Sequence, residues 1–263
     1  MSGGLETVLV IWQLETGHKQ FLPHLGAAIN NIVVSPNATS YAISLADNSV
    51  MTISTTELKP TANIAGIQSL ASPSNTSAEI PRTPCALHPT LASRLLVAAP
   101  SDQLDPNASA PYLQTFDTSS DRHIARQALA RTNATNLNTG PENLPISESN
   151  ITHFAISPDG QWLASVDSWT PPPTTSATLT QPPNATEVFL KFWQWSPNTS
   201  DWNLITRVDN PHPSADSAGA ETVLSLISSS TTSTFLTTVA LGGCVRVAEV
   251  VGGGVQLSTE ASH

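Results

Sequence analysis

An all-β fold built from repeated four-stranded units is what the sequence predicts, and three observations support that prediction. Apolar and polar residues alternate over short stretches, as they do in strands with one buried face. Ser-Pro and Asp-Gly pairs, which favour tight turns, close several of these stretches. The same order of strand, turn and strand recurs along the 263 residues, which is typical of a radial repeat.

The first element is half of such a unit, at residues 2–17. A turn of small residues precedes an alternating strand that carries Trp12, and the polar break 14–17 follows it. We interpret this stretch as the outer half of a propeller blade, so we expect the chain to open in the middle of a structural unit.

Four further units follow in order, and each fits one blade. Residues 121–131 also fit a short helix, but a fourth strand is expected there and the strand is the preferred interpretation. The predicted strands are 28–36, 41–45, 50–54 and 57–65; then 83–89, 94–99, 112–116 and 122–129; then 151–160, 162–166 and 187–195; and finally 223–227, 235–241 and 244–250.

These units predict one domain, residues 1–263, as an incomplete WD40-type β-propeller of about four and a half blades, a fragment of a longer ring. The Trp-Asp pair typical of such blades is absent, and Trp12-Gln13 and Trp193-Gln194 stand in its place. Open blade faces would leave apolar surface exposed, so we expect the isolated chain to be marginally stable or adhesive.

Three Ser/Thr/Pro-rich insertions interrupt the units, at residues 69–82, 133–149 and 168–184. They contain few large apolar side chains, so we expect mobile loops. A run of three prolines begins at Pro171. It could be a ligand for an aromatic groove, but a stiff exposed insertion is the favoured interpretation.

Composition excludes several classes of function. The chain carries 20 acidic and 10 basic residues, a formal charge of −10, and the basic residues are dispersed, which argues against a direct nucleic-acid grip. No apolar run approaches the roughly 18 to 20 residues of a membrane helix. The only cysteines are Cys85 and Cys244 and no signal peptide precedes the first strand, so we expect free, buried thiols in a reducing compartment.

Seven Asn-x-Ser/Thr triplets form the one counter-indication. In a secreted protein they would accept glycans, and a secreted propeller hydrolase or lectin is therefore a third possibility. In a chain this rich in Ser, Thr and Asn, chance is the favoured explanation. The triplets begin at Asn37, Asn75, Asn107, Asn133, Asn150, Asn184 and Asn198.

A search for catalytic motifs returns no nucleophile elbow, phosphate-binding loop or zinc-protease signature. Cys85 and His88 supply two metal-ligand types, but a structural zinc site needs four donors. His153 is interpreted as a satisfied blade histidine, and Asp159 and Asp167 as turn formers. We predict no catalytic, cofactor-binding or metal-binding residues, no cofactor and no small-molecule substrate, and hence no enzyme.

Tryptophans are the remaining candidates for ligand contact. Stacking on a ligand is possible for Trp12, Trp193, Trp195 and Trp202, but packing between neighbouring blades is the favoured interpretation for Trp12 and Trp193. Trp193 and Trp195 share one strand face, so we expect both in the same buried layer.

Five runs of residues resemble a known family. They are SGGLETVLVIWQL (2–14), KQFLPHLGAAI (19–29), LADNSV (45–50), FLKFW (189–193) and RVDNPH (207–212). These runs are similar to the WD-repeat nucleolar proteins of the U three protein A subcomplex of the small-subunit processome. The resemblance extends over residues 2–68 and, less closely, over 151–166 and 187–212.

That resemblance implies a non-catalytic scaffold that acts in the nucleolus, in pre-rRNA processing, small ribosomal subunit biogenesis and support of ribosomal DNA transcription. Its implied partners are other subunits of the early subcomplex, with the small nucleolar ribonucleoprotein and pre-rRNA reached mainly indirectly, and no membrane. The chain departs from the family in being shorter, in its Ser/Thr-rich insertions and in lacking basic character. The alternative is a generic WD-repeat adaptor in ubiquitin ligation or signalling.

Overall fold

The computed structural model describes residues 1–22, 25–67, 83–99, 111–129, 148–169, 186–212, 221–229, 235–240, 245–251 and 254–260. The described residues form eighteen strands and no helix, so the predicted all-β fold is confirmed. This part of the chain therefore holds no helix with the length and hydrophobicity that crossing a membrane would require.

The strands are arranged as one two-stranded and four four-stranded sheets. The first contains β1 (Leu9–Trp12) and β2 (Lys19–Leu22). The others contain β3 (Ile29–Val34), β4 (Ser40–Leu45), β5 (Val50–Ser54) and β6 (Pro60–Ile64); β7 (Cys85–Leu87), β8 (Arg94–Ala99), β9 (Tyr112–Asp117) and β10 (Arg122–Gln127); β11 (Asn150–Ile156), β12 (Trp162–Trp169), β13 (Glu187–Ser196) and β14 (Asp201–Asp209); and β15 (Val223–Ser228), β16 (Phe235–Ala240), β17 (Val245–Val251) and β18 (Gly254–Glu260).

Within each four-stranded sheet, strands that follow one another in sequence are neighbours. This meander is the strand order of a propeller blade, so the predicted class, an incomplete WD40-type propeller of about four and a half blades, is confirmed. The half blade extends to Leu22, beyond the predicted bounds 2–17. The preferred strand at 121–131 is also confirmed, since β10 occupies it. Three strands have no counterpart in the prediction: β2, which completes the two-stranded sheet, and β14 and β18, which complete the last two sheets.

The chain forms two compact units, residues 1–68 with 116–124, and residues 69–115 with 125–263. In the first unit, alternate residues of the β1–β2 hairpin pack with β4 and β5. We call the buried set the unit 1 core: Leu9, Leu25, Ile43, Leu45 and Ile53.

In the second unit, sheet β11–β14 is covered on both faces because its strands alternate apolar residues to either side. One face contributes to the first core, made of Leu96, Ala98, Leu113, Leu129, Ile151, Phe154, Ile156, Leu163, Trp193 and Trp202. The other contributes to the second core, made of Ala155, Ala164, Val166, Val188, Leu190, Phe192, Val223, Leu226 and Ala248.

Ser-Pro turns end the first strand of two sheets, as the sequence suggested. Ser157 Oγ donates to the Asp159 carboxylate and accepts from Trp162 N at 2.9 Å. Gly160 occupies the positive-φ position of this turn, at +71°. A Cβ there would lie 2.5 Å from His88 Cε1, so both the backbone angle and the close neighbour require glycine.

The predicted insertions fall mainly outside the described residues, which exclude 68–82, 130–147 and 170–185. The structure describes the end of one predicted insertion and the start of another. Ser168 and Trp169 belong to β12, and Ser149 is buried beside β11. The proline run at 171–173, Cys244 and four of the seven Asn-x-Ser/Thr sites also lie outside.

Candidate interaction surfaces

A buried ion pair lies inside sheet β11–β14. Lys191 Nζ on β13 is 2.8 Å from Asp167 Oδ1 on β12, and the two side chains are almost wholly removed from solvent. The interpretation of Asp167 as a turn former is therefore wrong. Its physical reason is that β12 runs to Trp169, which places Asp167 within the strand and diagonal to Lys191.

Neighbouring groups make two further hydrogen bonds to this pair. Ser149 Oγ donates to Asp167 Oδ2 at 2.6 Å, and Lys191 Nζ donates to the Leu129 carbonyl at 3.0 Å. Burial raises the pKa of the Asp167 carboxyl above its ordinary value, while Lys191, Ser149 and Arg207 act in the opposite direction. Asp167 Oδ1 itself interacts with Lys191 as an ion pair and has no hydrogen-bond partner among the described residues.

Two cation–π contacts to Phe189 lie next to this pair. Two cations lie near the Phe189 ring, with Arg207 Cζ 4.8 Å and Lys191 Nζ 5.8 Å from its centroid. Arg207 also makes two hydrogen bonds to Asp209, at 2.6 and 3.0 Å. The two cations therefore interact with the Phe189 ring and with the carboxylates of Asp167 and Asp209.

The other candidate polar residues have structural roles. Asp159 forms the turn predicted for it, accepting from Ser157 and from Gln161 N. His153 contacts Thr152 Oγ1 at 3.1 Å, and burial lowers its pKa while a backbone hydrogen bond to Leu224 opposes that shift. His153 is a satisfied blade histidine, as predicted.

Cys85 and His88 have no further metal ligands grouped with them among the described residues. Cys85 is exposed, so the prediction of a buried thiol is wrong for it; β7 is a short edge strand on which Cys85 and Leu87 both face solvent. His88 contacts Thr90 Oγ1 at 3.2 Å instead. Among the described residues, no three His, Cys, Asp or Glu side chains are grouped as metal ligands.

Trp193 and Trp195 pack in one layer of sheet β11–β14, as predicted. Trp193 is buried in the first core and its Nε1 donates to Ser165 Oγ at 2.9 Å. Trp195 packs against the same core, 5.1 Å from Trp202 between ring centroids. The Gln127 side chain bonds both backbone groups of Trp202, at 2.5 and 2.8 Å, as a neighbouring strand would.

Trp12 departs from the prediction, because it is 45% exposed. Leu9 and Ile11 take the face of β1 that meets the unit 1 core, so period-two alternation turns Trp12 outward. There Lys19 Nζ lies 4.3 Å from the Trp12 ring centroid, and Trp12 Nε1 donates to Ser2 Oγ at 3.0 Å.

This outward face of the β1–β2 hairpin is the clearest apolar surface in the first unit. Val10 pairs with Phe21, and Trp12 pairs with Lys19, so the four side chains share one face. Phe21 is 59% exposed. We call Val10, Trp12, Lys19 and Phe21 the hairpin face; it combines two exposed aromatic rings with one cation.

Several known proteins are similar in sequence to this chain, including three from different organisms. U3 small nucleolar RNA-associated protein 17 of Schizosaccharomyces pombe is 32% identical over 222 residues, which cover 81% of this chain and 27% of that protein. WD repeat-containing protein 75 of Xenopus laevis is 27% identical over 81% of this chain and 22% of that protein. NET1-associated nuclear protein 1 of Saccharomyces cerevisiae is 28% identical over 81% and 27%, respectively.

The chain therefore spans about a quarter of the length of these relatives. No family model matches it. Among solved structures, the β-propeller domain of Cps50 (Swd1) from Myceliophteria thermophila aligns with 98% of this chain and 67% of that chain, at 14% identity and a TM-score of 0.45.

Proposed function

We propose, from the premise that this chain is a homologue of U3 small nucleolar RNA-associated protein 17 and WD repeat-containing protein 75, that it is a scaffold segment of the small-subunit processome. The resemblance found in the sequence is thereby confirmed. The proposed role is in pre-rRNA processing and small ribosomal subunit biogenesis, with support of ribosomal DNA transcription, in the nucleolus.

One observation carries this proposal. The identity of 32% to U3 small nucleolar RNA-associated protein 17 extends over 81% of the chain, so it involves several sheets rather than a single blade motif. A generic WD-repeat adaptor would share strand spacing and turns with such a protein without sharing this much sequence.

The polar groups of the described residues support a non-catalytic role. Asp167 and Lys191, the one buried acid–base pair described, are engaged with each other and with Ser149 and Leu129. A general base must instead face a space in which a substrate can lie within hydrogen-bonding reach. A scaffold of this kind would bind its partners on exposed surfaces rather than in a cleft.

Charge supports protein partners as the first contacts. With a formal charge of −10, the chain lacks the clustered Lys and Arg side chains that supply most affinity for phosphate backbones. The hairpin face exposes Trp12 and Phe21, and aromatic side chains are enriched at protein interfaces. We therefore propose that other early-processome subunits bind the chain directly and that pre-rRNA is reached through them.

The test is affinity purification of the tagged chain from nuclear extract of its native host, with and without ribonuclease. We expect early-processome subunits in both preparations, because protein contacts do not depend on RNA. Subunits that disappear after ribonuclease would contradict direct protein contact. A partner set made wholly of ubiquitin-ligase or signalling proteins would replace this proposal with the adaptor alternative.

A surface variant sharpens the same experiment. Trp12→Ser combined with Phe21→Ser removes the hairpin face without touching the unit 1 core, and recovery of subunits should fall. Leu14→Ser is the matched control, since Leu14 is also exposed but lies outside that face. Equal recovery with the wild type, the double variant and Leu14→Ser would show that the hairpin face does not bind the subunits. The scaffold proposal would then be tested only by which partners are recovered.

A further inference from the structure

Two points of the chain that are distant in sequence meet the same buried ion pair. Leu129 follows β10 and Ser149 precedes β11, so together they bound the connection between two sheets. The Leu129 carbonyl accepts from Lys191, the Ser149 hydroxyl donates to Asp167, and Lys191 and Asp167 bond each other at 2.8 Å. Three bonds thus join residue 129 to residue 149 through β12 and β13.

Stability alone does not explain this arrangement. A buried ion pair often stabilises a fold no better than apolar residues of the same volume, because desolvating two charges offsets their attraction. Directional hydrogen bonds can instead favour one backbone arrangement over others of similar energy. Here each charged group makes one hydrogen bond beyond the pair, and each of these bonds holds one end of the connection.

We propose that the Lys191–Asp167 pair is a clamp that fixes both ends of the β10–β11 connection against β12 and β13. The two ends are coupled through the pair, so removing one charge releases both. The clamp keeps the positions of residues 129 and 149 independent of the chain between them.

Apolar packing is the competing explanation for the fixed ends, since the side chains of Leu129 and Ile151 lie in the first core. The two explanations differ in what happens when the ion pair is replaced by apolar side chains. Packing would be preserved or improved by such a replacement, whereas the bonds to the Leu129 carbonyl and the Ser149 hydroxyl would be lost.

The test is amide hydrogen exchange, followed by mass spectrometry, on segments 126–129 and 148–151 of the full chain. In Lys191→Met, we expect exchange to accelerate at both segments by about tenfold or more, because each loses a bond to a charged or charge-paired group. In Ser149→Ala, exchange should accelerate at 148–151 and stay unchanged at 126–129. This milder variant decides the question if Lys191→Met does not fold.

The double variant Lys191→Met with Asp167→Leu separates the clamp from general stability. It restores apolar burial, so its thermal midpoint should recover toward that of the wild type. The clamp predicts that exchange at 126–129 and 148–151 nevertheless stays fast. Return of both segments to wild-type exchange, or an unchanged segment 148–151 in Ser149→Ala, would overturn the proposal in favour of packing.

Discussion

Sheets β3–β6 and β11–β14 share a strand order and a Ser-Pro turn but differ in how they are covered. In β12 and β13, runs of consecutive residues are buried because both faces of the sheet meet a core. In β3, by contrast, Val33 and Val34 are 55% and 51% exposed. The same local pattern therefore supports two different degrees of burial.

The difference teaches where polar residues can be placed. Sheet β11–β14 holds a buried ion pair and a buried Trp193–Ser165 hydrogen bond, which only a covered sheet can contain. The polar bonds described in sheet β3–β6 lie in its turns and on its open face, as with Asn37, which accepts from Ser35 and Thr39. Coverage, rather than strand sequence alone, separates the two sheets.

Truncating one phenylalanine of the covered sheet β11–β14 and one of the exposed hairpin face should give the largest contrast. Phe192 is fully buried in the second core, so Phe192→Ala should lower the free energy of unfolding by about 3–5 kcal/mol. Phe21→Ala, at an exposed site, should change it by less than about 0.5 kcal/mol. Urea unfolding measures both; a comparable loss for the two variants would show that the hairpin face is covered in solution.

Glycine substitutions give the next largest effect. Gly160→Ala introduces a Cβ at φ +71° and 2.5 Å from His88 Cε1, so strain and overpacking should together cost about 2–4 kcal/mol. Gly17→Ala shares the positive φ, +70°, but meets nothing within 4 Å, and should cost only about 1 kcal/mol. Equal costs in urea unfolding would mean that the His88 contact is not formed.

Two tryptophans test the buried hydrogen bond. Trp193→Phe keeps an aromatic side chain, though a smaller one, and leaves the buried Ser165 hydroxyl without its donor, which should cost about 1–3 kcal/mol. Trp12→Phe loses an exposed bond to Ser2 and should have little effect. Adding Ser165→Ala to Trp193→Phe should recover part of the loss, and no recovery would contradict the bond.

The pH dependence should be the smallest effect. Burial lowers the pKa of His88 and His153 below the ordinary value of 6.5, and Arg94 adds to the shift at His88. The unfolded chain then binds more protons than the folded one, so this contribution to stability is complete above pH 6.5 and is lost as pH falls below it. We therefore expect the thermal midpoint to decrease as the pH is lowered from about 7.5 to about 5.5.

A matched pair of variants isolates that effect. His153→Gln should flatten the fall in the thermal midpoint, because the residue that resists protonation is gone. His18→Gln, at an exposed site, serves as its control. A midpoint that rises on acidification, or an identical profile for His153→Gln and the wild type, would contradict the burial of His153.

Short-range patterns were sufficient to predict most of the strands. Ser157-Pro158 and Asp159-Gly160 fixed one turn, and alternation placed Trp193 in a core. Residues 201–209 gave no such signal. β14 is a half-exposed outer strand, and its pairing with β13 is interrupted by a bulge.

Burial of individual side chains was harder to predict, because it depends on what covers each face. Trp12 and Trp193 occupy similar strand positions, yet only Trp193 has a neighbouring sheet over it. Asp167 was missed because its partner Lys191 lies across an insertion in the sequence. A lone lysine in the apolar run 188–193 was the available signal for that pair.

Amide hydrogen exchange of the unmodified chain at neutral pH tests the role of two-sided coverage most directly. The account predicts the slowest exchange in β12 and β13, with β3 and β4 exchanging substantially faster, since protection follows buried apolar contact. Equal or slower exchange in β3 and β4 would contradict it, because coverage of sheet β11–β14 would then not be what sets its stability apart.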